Sequence, residues 1–102
     1  MKRYRVIVSG QAAAMLVSYS RFLARVSKAA ADRLVSEFEA AAGSLEQQPG
    51  RFPWLEGPCI PTGKYKKCLF AKPYLLLYQI KEKNVFIDYV VDCRQDYAWL
   101  IT

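Results

Sequence analysis

The sequence of 102 residues contains no histidine. Without imidazole, the chain has no His-based nucleophilic triad and no histidine general base. Its nine acidic residues form no cluster that would hold a catalytic metal ion. The five glycines form no phosphate-binding loop of the GxGxxG or GxxxxGKS type. An enzyme built from this chain would therefore use lysine, arginine and tyrosine, with no metal or other cofactor.

Long hydrophobic runs are also absent. The aliphatic run Val6–Val8 is too short for a signal-peptide core, and no later stretch approaches the ~18 uncharged residues of a membrane span. We therefore expect a cytoplasmic protein with no membrane partner. The three cysteines, Cys59, Cys68 and Cys93, cannot all pair within one chain and do not match zinc-ligand spacing. Reduced thiols with packing or incidental roles are the expectation.

Positive charge is in excess. Fifteen Lys and Arg against nine Asp and Glu give a net charge of +6 and a pI near 9.4. This charge favours a polyanionic or acidic partner. Hydrophobic residues make up 53% of the chain, which is enough for one packed core at this length. We expect a single globular domain over residues 1–102.

The first half of the chain predicts a strand and two helices. Residues 3–8 alternate as a strand does, and Gly10 ends the run. Apolar residues then recur every three to four positions over 11–26, which predicts an amphipathic helix. Ser27 is placed to cap a second helix, which either Gly43 or the stretch 47–50 should end. The short joint favours an antiparallel hairpin.

The second half predicts a loop and three strands. Residues 49–63 hold four of the five prolines and three of the five glycines, and their apolar side chains should pin this loop to the core through aromatic anchors. Tyr65–Phe70, Tyr74–Ile80 and Val85–Asp92 predict an antiparallel meander. Tyr74–Ile80 is apolar on both faces and should be central. The final residues 95–101 suit either a short helix or an extended tail.

Strict alternation divides the last strand between two faces. The first face carries Val85, Ile87, Tyr89 and Val91, and the second carries Phe86, Asp88, Val90 and Asp92 and should be the wetter one. The whole pattern predicts an α+β domain. In it an N-terminal strand precedes a two-helix antiparallel hairpin and a three-stranded antiparallel meander, with the helices packed on one face of the small sheet.

The strongest local feature is the basic segment 64–72. It carries Lys64, Lys66, Lys67 and Lys72 with no acid among them. Alternation places Lys64 and Lys66 on one face of the strand and Lys67 on the other. Two interpretations remain open. The lysines either keep an edge strand soluble or attract phosphate groups or an acidic protein.

A second candidate region follows the last strand. Arg94 can bind a phosphate or carboxylate, or it can pair with Asp92 or Asp96. Tyr97 and Trp99 either anchor the tail by packing or contribute aromatic surface to a binding site.

Several segments, taken in order, resemble the RelE/ParE toxin superfamily. They are Tyr4–Val8, Ala29–Leu34, Ser44–Gly50, Tyr65–Phe70, the YLLLYQI strand at 74–80, and the R-x-D that follows Val90–Cys93. The resemblance implies the toxin component of a type II toxin–antitoxin system, a growth inhibitor neutralised by a cognate antitoxin. It also implies one of two targets. Members similar to RelE cleave mRNA on the ribosome without a metal, whereas members similar to ParE inhibit DNA gyrase.

Lys66 and Arg94 match basic positions of the nuclease group, and Tyr97 is the candidate base in that case. The sequence departs from the nuclease pattern at three positions. Cys68 stands in place of a lysine, Leu75 in place of an arginine, and Leu100 near the place of the catalytic tyrosine.

These departures favour gyrase inhibition, with mRNA cleavage and an inactive toxin-fold binding module as the alternatives. The expected contact surface comprises Lys64, Lys66, Lys67, Lys72, Arg94, Tyr97 and Trp99.

Overall fold

A computed structural model describes residues 3–57 and 60–95. The elements in chain order are β1 (Arg5–Val8), α1 (Gly10–Ala24), α2 (Lys28–Ser44), a short 3-10 helix (Pro49–Arg51), β2 (Lys66–Phe70), β3 (Tyr74–Lys81) and β4 (Asn84–Asp92). The predicted α+β class and element order are confirmed.

Both helices begin at a serine cap. The amide of Ala12 donates to Ser9 Oγ at 3.0 Å, and that of Ala30 donates to Ser27 Oγ at 3.1 Å. Each serine thus satisfies one amide that has no partner within its helix. Gly43 lies inside α2 and does not end it. The chain turns instead at Gln48, whose φ of 51° is left-handed.

The sheet has the strand order β1-β4-β3-β2. The last three strands form the predicted antiparallel meander, and β1 pairs in parallel with β4. A parallel neighbour requires a crossover connection, which the two helices supply. The side chains from Tyr74 to Tyr78 are all buried, consistent with a central β3.

The helices cover one face of this sheet. Leu16 from α1 and Leu34 and Phe38 from α2 pack against the buried residues of β2, β3 and β4. The Phe38 and Phe70 rings meet edge to face with centroids 5.5 Å apart. Within the described residues, neither helix is long and apolar enough to cross a membrane.

A β-bulge at Asp88 changes which residues of β4 point to each face of the sheet. Leu77 is paired with Tyr89 and Tyr78 with Ile87, which leaves Asp88 as the extra residue. Its carbonyl accepts a hydrogen bond from Ser9 Oγ at 3.2 Å. An extra residue shifts the alternation by one position.

The predicted faces of β4 are therefore wrong beyond the bulge. Val90 belongs to the core beneath the helices, whereas Val91 and Tyr89 pack in a second cluster on the other face. The face expected to be wetter includes Val90 and Asp92, which are 0% and 4% exposed. A sequence pattern read with strict period two contains no signal for this shift.

The loop after the 3-10 helix covers the second face of the sheet. Leu55 packs there with Tyr65, Leu75 and Leu77. Its amide donates to the Tyr65 carbonyl at 2.7 Å. The predicted loop thus lies on the core. Its fully buried anchor is Leu55, and the aromatic ring of Phe52 packs partly buried against the core, whereas Trp54 is 46% exposed.

Replacement of Tyr78 by phenylalanine tests how the loop is held. The buried Tyr78 hydroxyl donates to the Pro49 carbonyl at 2.6 Å. Tyr78→Phe leaves that carbonyl without this donor, so we expect the free energy of unfolding to fall by about 1–3 kcal/mol. Urea denaturation of the variant and of the unmodified protein measures this change in the free energy of unfolding. Tyr4→Phe, which removes a hydroxyl from a residue that is only partly buried, is the control. Equal effects of the two variants would contradict this role.

Candidate functional site

The four lysines of segment 64–72 occupy different environments. Lys64 is exposed, with its Nζ 5.4 Å from the centroid of the Tyr65 ring. Lys66 is buried and Lys67 is half-buried. Lys72 is exposed in the turn between β2 and β3. The segment therefore does not present one continuous basic surface.

Lys66 holds the loop to β2. Its Nζ donates to the Phe52 carbonyl at 2.8 Å and lies 4.0 Å from the centroid of the Trp54 ring. The residue is only 9% exposed. A buried ammonium requires such partners to offset its lost hydration. The positive charge of Lys66 is therefore bound by groups of the protein itself, and the residue has a structural role.

Lys67 borders an apolar cavity on the sheet face away from the helices. The cavity has a volume of about 470 Å³ and is lined by Phe52, Pro53, Lys67, Leu69, Leu75 and Cys93. The Cys93 thiol is exposed here. Cys68 lies on the opposite face, where burial raises the pKa of its thiol. The lining of this cavity is therefore mainly apolar, and Lys67 is its charged residue.

Arg94 is paired with Asp92 at the end of β4. Its Nε lies 3.1 Å from Asp92 Oδ1 and its Nη2 lies 2.8 Å from Oδ2. The Arg94 amide also donates to Oδ1, at 2.9 Å. The side-chain hydrogen bonds from Arg94 hold the pKa of Asp92 below its ordinary value, although burial opposes them. One of the two pairings considered for Arg94 is thus present.

Two tyrosines complete this end of the sheet. The Asp92 amide donates to Tyr19 Oη at 3.2 Å, which links β4 to α1. The Tyr19 and Tyr74 rings meet edge to face with centroids 5.1 Å apart. Burial is the main cause that raises the pKa of both phenols. Both therefore remain neutral at physiological pH.

Arg94 also borders two adjoining cavities between the helices and the sheet. We call them together the basic groove. The smaller, of about 270 Å³, is lined by Leu23, Ala30, Arg33, Leu34, Ala71, Lys72, Pro73, Tyr74 and Arg94. The larger, of about 400 Å³, is lined by Ser18, Tyr19, Phe22, Leu23, Tyr74, Asp92, Arg94 and Gln95. The fold thus brings Arg33, Lys72 and Arg94 to one opening.

Lys72 and Arg94 were predicted from the sequence as binding residues, but Arg33 was not. Arg33 lies on α2, far along the chain from the other two cations, and no local pattern joins them. Tyr97, Trp99, Leu100 and Cys59 lie outside the described residues. Within the described ranges, no group of three potential metal-ligating side chains is close enough to bind an ion.

The Asp92–Arg94 pair predicts a pH-dependent effect on stability. Because the pKa of Asp92 is lowered by folding, its contribution is present above the ordinary aspartate pKa of about 4 and is lost as pH falls through the folded-state value. We expect Asp92→Asn to lower the free energy of unfolding at neutral pH. The difference in the free energy of unfolding between this variant and the unmodified protein should become smaller in acid.

Denaturant titrations across pH measure this effect, with the exposed Asp32→Asn as the control. A stability difference that does not depend on pH would contradict a stabilising role of the Asp92–Arg94 pair.

Comparisons with known proteins agree with the fold and extend it. The family described as "ParE toxin of type II toxin-antitoxin system, parDE" matches residues 6–97. A solved structure, "Chromosomal ParDE TA system from P. aeruginosa", superposes with a TM-score of 0.67 at 15% identity, covering 88% of this chain and 96% of that one. No curated protein matches the sequence. Since the family match spans most of its length, the chain belongs to the ParE toxin family of type II toxin–antitoxin systems.

Proposed function

We propose that this toxin stops growth by binding a protein target, DNA gyrase, and not by cleaving mRNA on the ribosome. The observation that carries the proposal is the engagement of Lys66, whose ammonium is bound by the Phe52 carbonyl and the Trp54 ring. Arg94 is likewise paired with Asp92. Cleavage of a phosphodiester needs cations directed at the developing charge. Neither candidate cation is free for that purpose.

Two further positions support the same conclusion. Cys68 and Leu75, which stand where the nuclease group has basic residues, are 4% and 8% exposed. The buried phenols of Tyr65 and Tyr78 are also poorly suited to accept a proton. Burial raises the pKa of Tyr65 to about 12, and it raises that of Tyr78 as well. A general base works best with a pKa near the ambient pH.

The gyrase-contacting surface in this proposal is the outward patch, defined as Trp54, Lys64, Lys67 and Leu69. Trp54 and Leu69 are 46% and 48% exposed, and Lys64 is also exposed. Two of its residues, Lys67 and Leu69, line the apolar cavity of about 470 Å³. Exposed aromatic and aliphatic groups flanked by cations are typical of protein interfaces.

Purified toxin tests the target directly. Incubated with gyrase and plasmid DNA, it should inhibit supercoiling or trap cleaved DNA, and induced cells should show DNA damage while their mRNA stays intact. Cleaved mRNA with intact DNA would instead establish the ribosome-dependent endoribonuclease. Normal growth at high expression without an antitoxin would establish an inactive binding module.

Charge reversal tests the outward patch. We expect Lys64→Glu/Lys67→Glu to weaken gyrase inhibition about tenfold, since two favourable interactions become repulsive. The supercoiling assay measures the concentration for half inhibition. Arg5→Glu/Lys81→Glu, an equal change of charge on other exposed residues, is the matched control. Full inhibition by the Lys64/Lys67 variant would place the contact surface elsewhere.

A further inference from the structure

The apolar cavity next to β2 has walls that are held by backbone hydrogen bonds. On the loop side, the Pro53 carbonyl accepts from the Lys67 amide at 3.0 Å. At the end of β4, the Cys93 amide donates to the Pro73 carbonyl at 2.9 Å. Because both segments are fixed in this way, the cavity is formed by the fold itself and needs no partner to open it.

The lining of this cavity is mostly carbon. Leu69 and Leu75 lie opposite each other in the pairing of β2 with β3, and both line the cavity. Phe52 and Pro53 add further apolar surface. The volume of about 470 Å³ is in the range of small-molecule sites. A hydrocarbon group that entered would remove this surface from water, which favours binding.

Lys67 is the charged residue of the lining. It is half-buried, and in the part of the chain that the structure describes its ammonium takes part in no hydrogen bond or ion pair. Since such an ammonium has lost part of its hydration, an anion that reached it would be bound favourably. The lining holds no second cation and no carboxylate. A single negative charge therefore matches this cavity, whereas a nucleotide would lack partners for its phosphates.

We propose that the apolar cavity binds a small amphipathic carboxylate, of the class of a medium-chain fatty acid. Its hydrocarbon part lies against Leu69 and Leu75, and its carboxylate pairs with Lys67. A neutral hydrocarbon would leave the ammonium without a counterion, and a hydrophilic acid would gain nothing from the apolar lining. Both parts of the ligand thus follow from the residues of the cavity.

Isothermal titration calorimetry with the full chain tests the proposal. The probes are octanoate, octanol, which has the same chain length without the charge, and acetate, which has the charge without the long chain. We expect octanoate to bind with a dissociation constant of roughly 0.1–1 mM, as its small size allows. Octanol should bind about fivefold more weakly, because it forms no ion pair with Lys67. Acetate should show no binding at the same concentrations.

The Cys93 thiol gives an independent measure of occupancy. It is exposed, and it lines the cavity. Bound octanoate would cover it, so a saturating concentration should slow its alkylation by a neutral maleimide about fivefold, because the reaction requires access to the thiolate. Mass spectrometry of the digested protein follows Cys93 separately from the other cysteines.

Two substitutions separate charge from space. Lys67→Met should weaken octanoate binding about fivefold and change octanol binding by less than about twofold. Lys64→Met is the matched control, because Lys64 is exposed and does not line the cavity. Cys93→Phe adds a ring to the lining and should abolish binding of both octanoate and octanol. Circular dichroism checks that each variant is folded, and Lys67→Met alone provides the comparison if Cys93→Phe unfolds.

Four results would overturn the inference. They are no binding of octanoate to the unmodified protein, binding of acetate as tight as that of octanoate, equal losses in Lys67→Met and Lys64→Met, or a Cys93 thiol that resists alkylation before any probe is added. The last result would show that the cavity is already filled by another part of the chain or by a second copy.

Lys67 and Leu69 also belong to the outward patch, so octanoate should weaken gyrase inhibition by the toxin. This consequence rests on the proposed function, whereas the binding itself does not. Gyrase with octanoate and no toxin is the control. Octanoate that binds without any effect on inhibition contradicts the assignment of the outward patch to gyrase, and a toxin that inhibits gyrase but does not bind octanoate contradicts only this inference.

Discussion

Burial of β3 on both faces constrains the rest of the molecule. Five consecutive side chains, Tyr74 to Tyr78, are buried, so the strand needs an apolar layer above and below it. The helices supply the first layer, and the loop around Leu55 supplies the second. Lys66 serves this second layer, because its contacts with Phe52 and Trp54 keep the loop against β2. A basic residue that suggested phosphate chemistry in the sequence is thus part of the packing.

The elements of the fold were predictable because their patterns are local. The helical spacing of apolar residues, the Ser27 cap and the continuous apolar strand at 74–80 each depend on neighbours in sequence. The Asp88 bulge was not predictable in this way. It depends on how β3 and β4 align and on Ser9, which is distant in sequence but donates to the Asp88 carbonyl.

The candidate site was predictable only in part, for a related reason. Lysines and an arginine could be identified as cations, but their partners come from other elements. The Phe52 carbonyl accepts a hydrogen bond from the Lys66 ammonium, so this charge is not available to a ligand. Arg33, which lies on α2, borders the same cavity as Lys72. The charge of a residue is thus fixed by its type, whereas its availability is fixed by tertiary contacts.

The bulge at Asp88 also determines to which side of the sheet the side chains at the end of β4 point. With regular alternation, Val91 and Cys93 would continue the face of Val85 and Ile87 beneath the helices. The additional residue places Val90 and Asp92 there instead, and the carboxylate of Asp92 then holds Arg94 beside Tyr74. A register in which Asp88 was paired as an ordinary strand residue, without the bulge, would therefore transfer this carboxylate to the opposite side and remove Arg94 from the groove. The position of one charged side chain thus depends on how a single residue is accommodated in the pairing of β4 with β3.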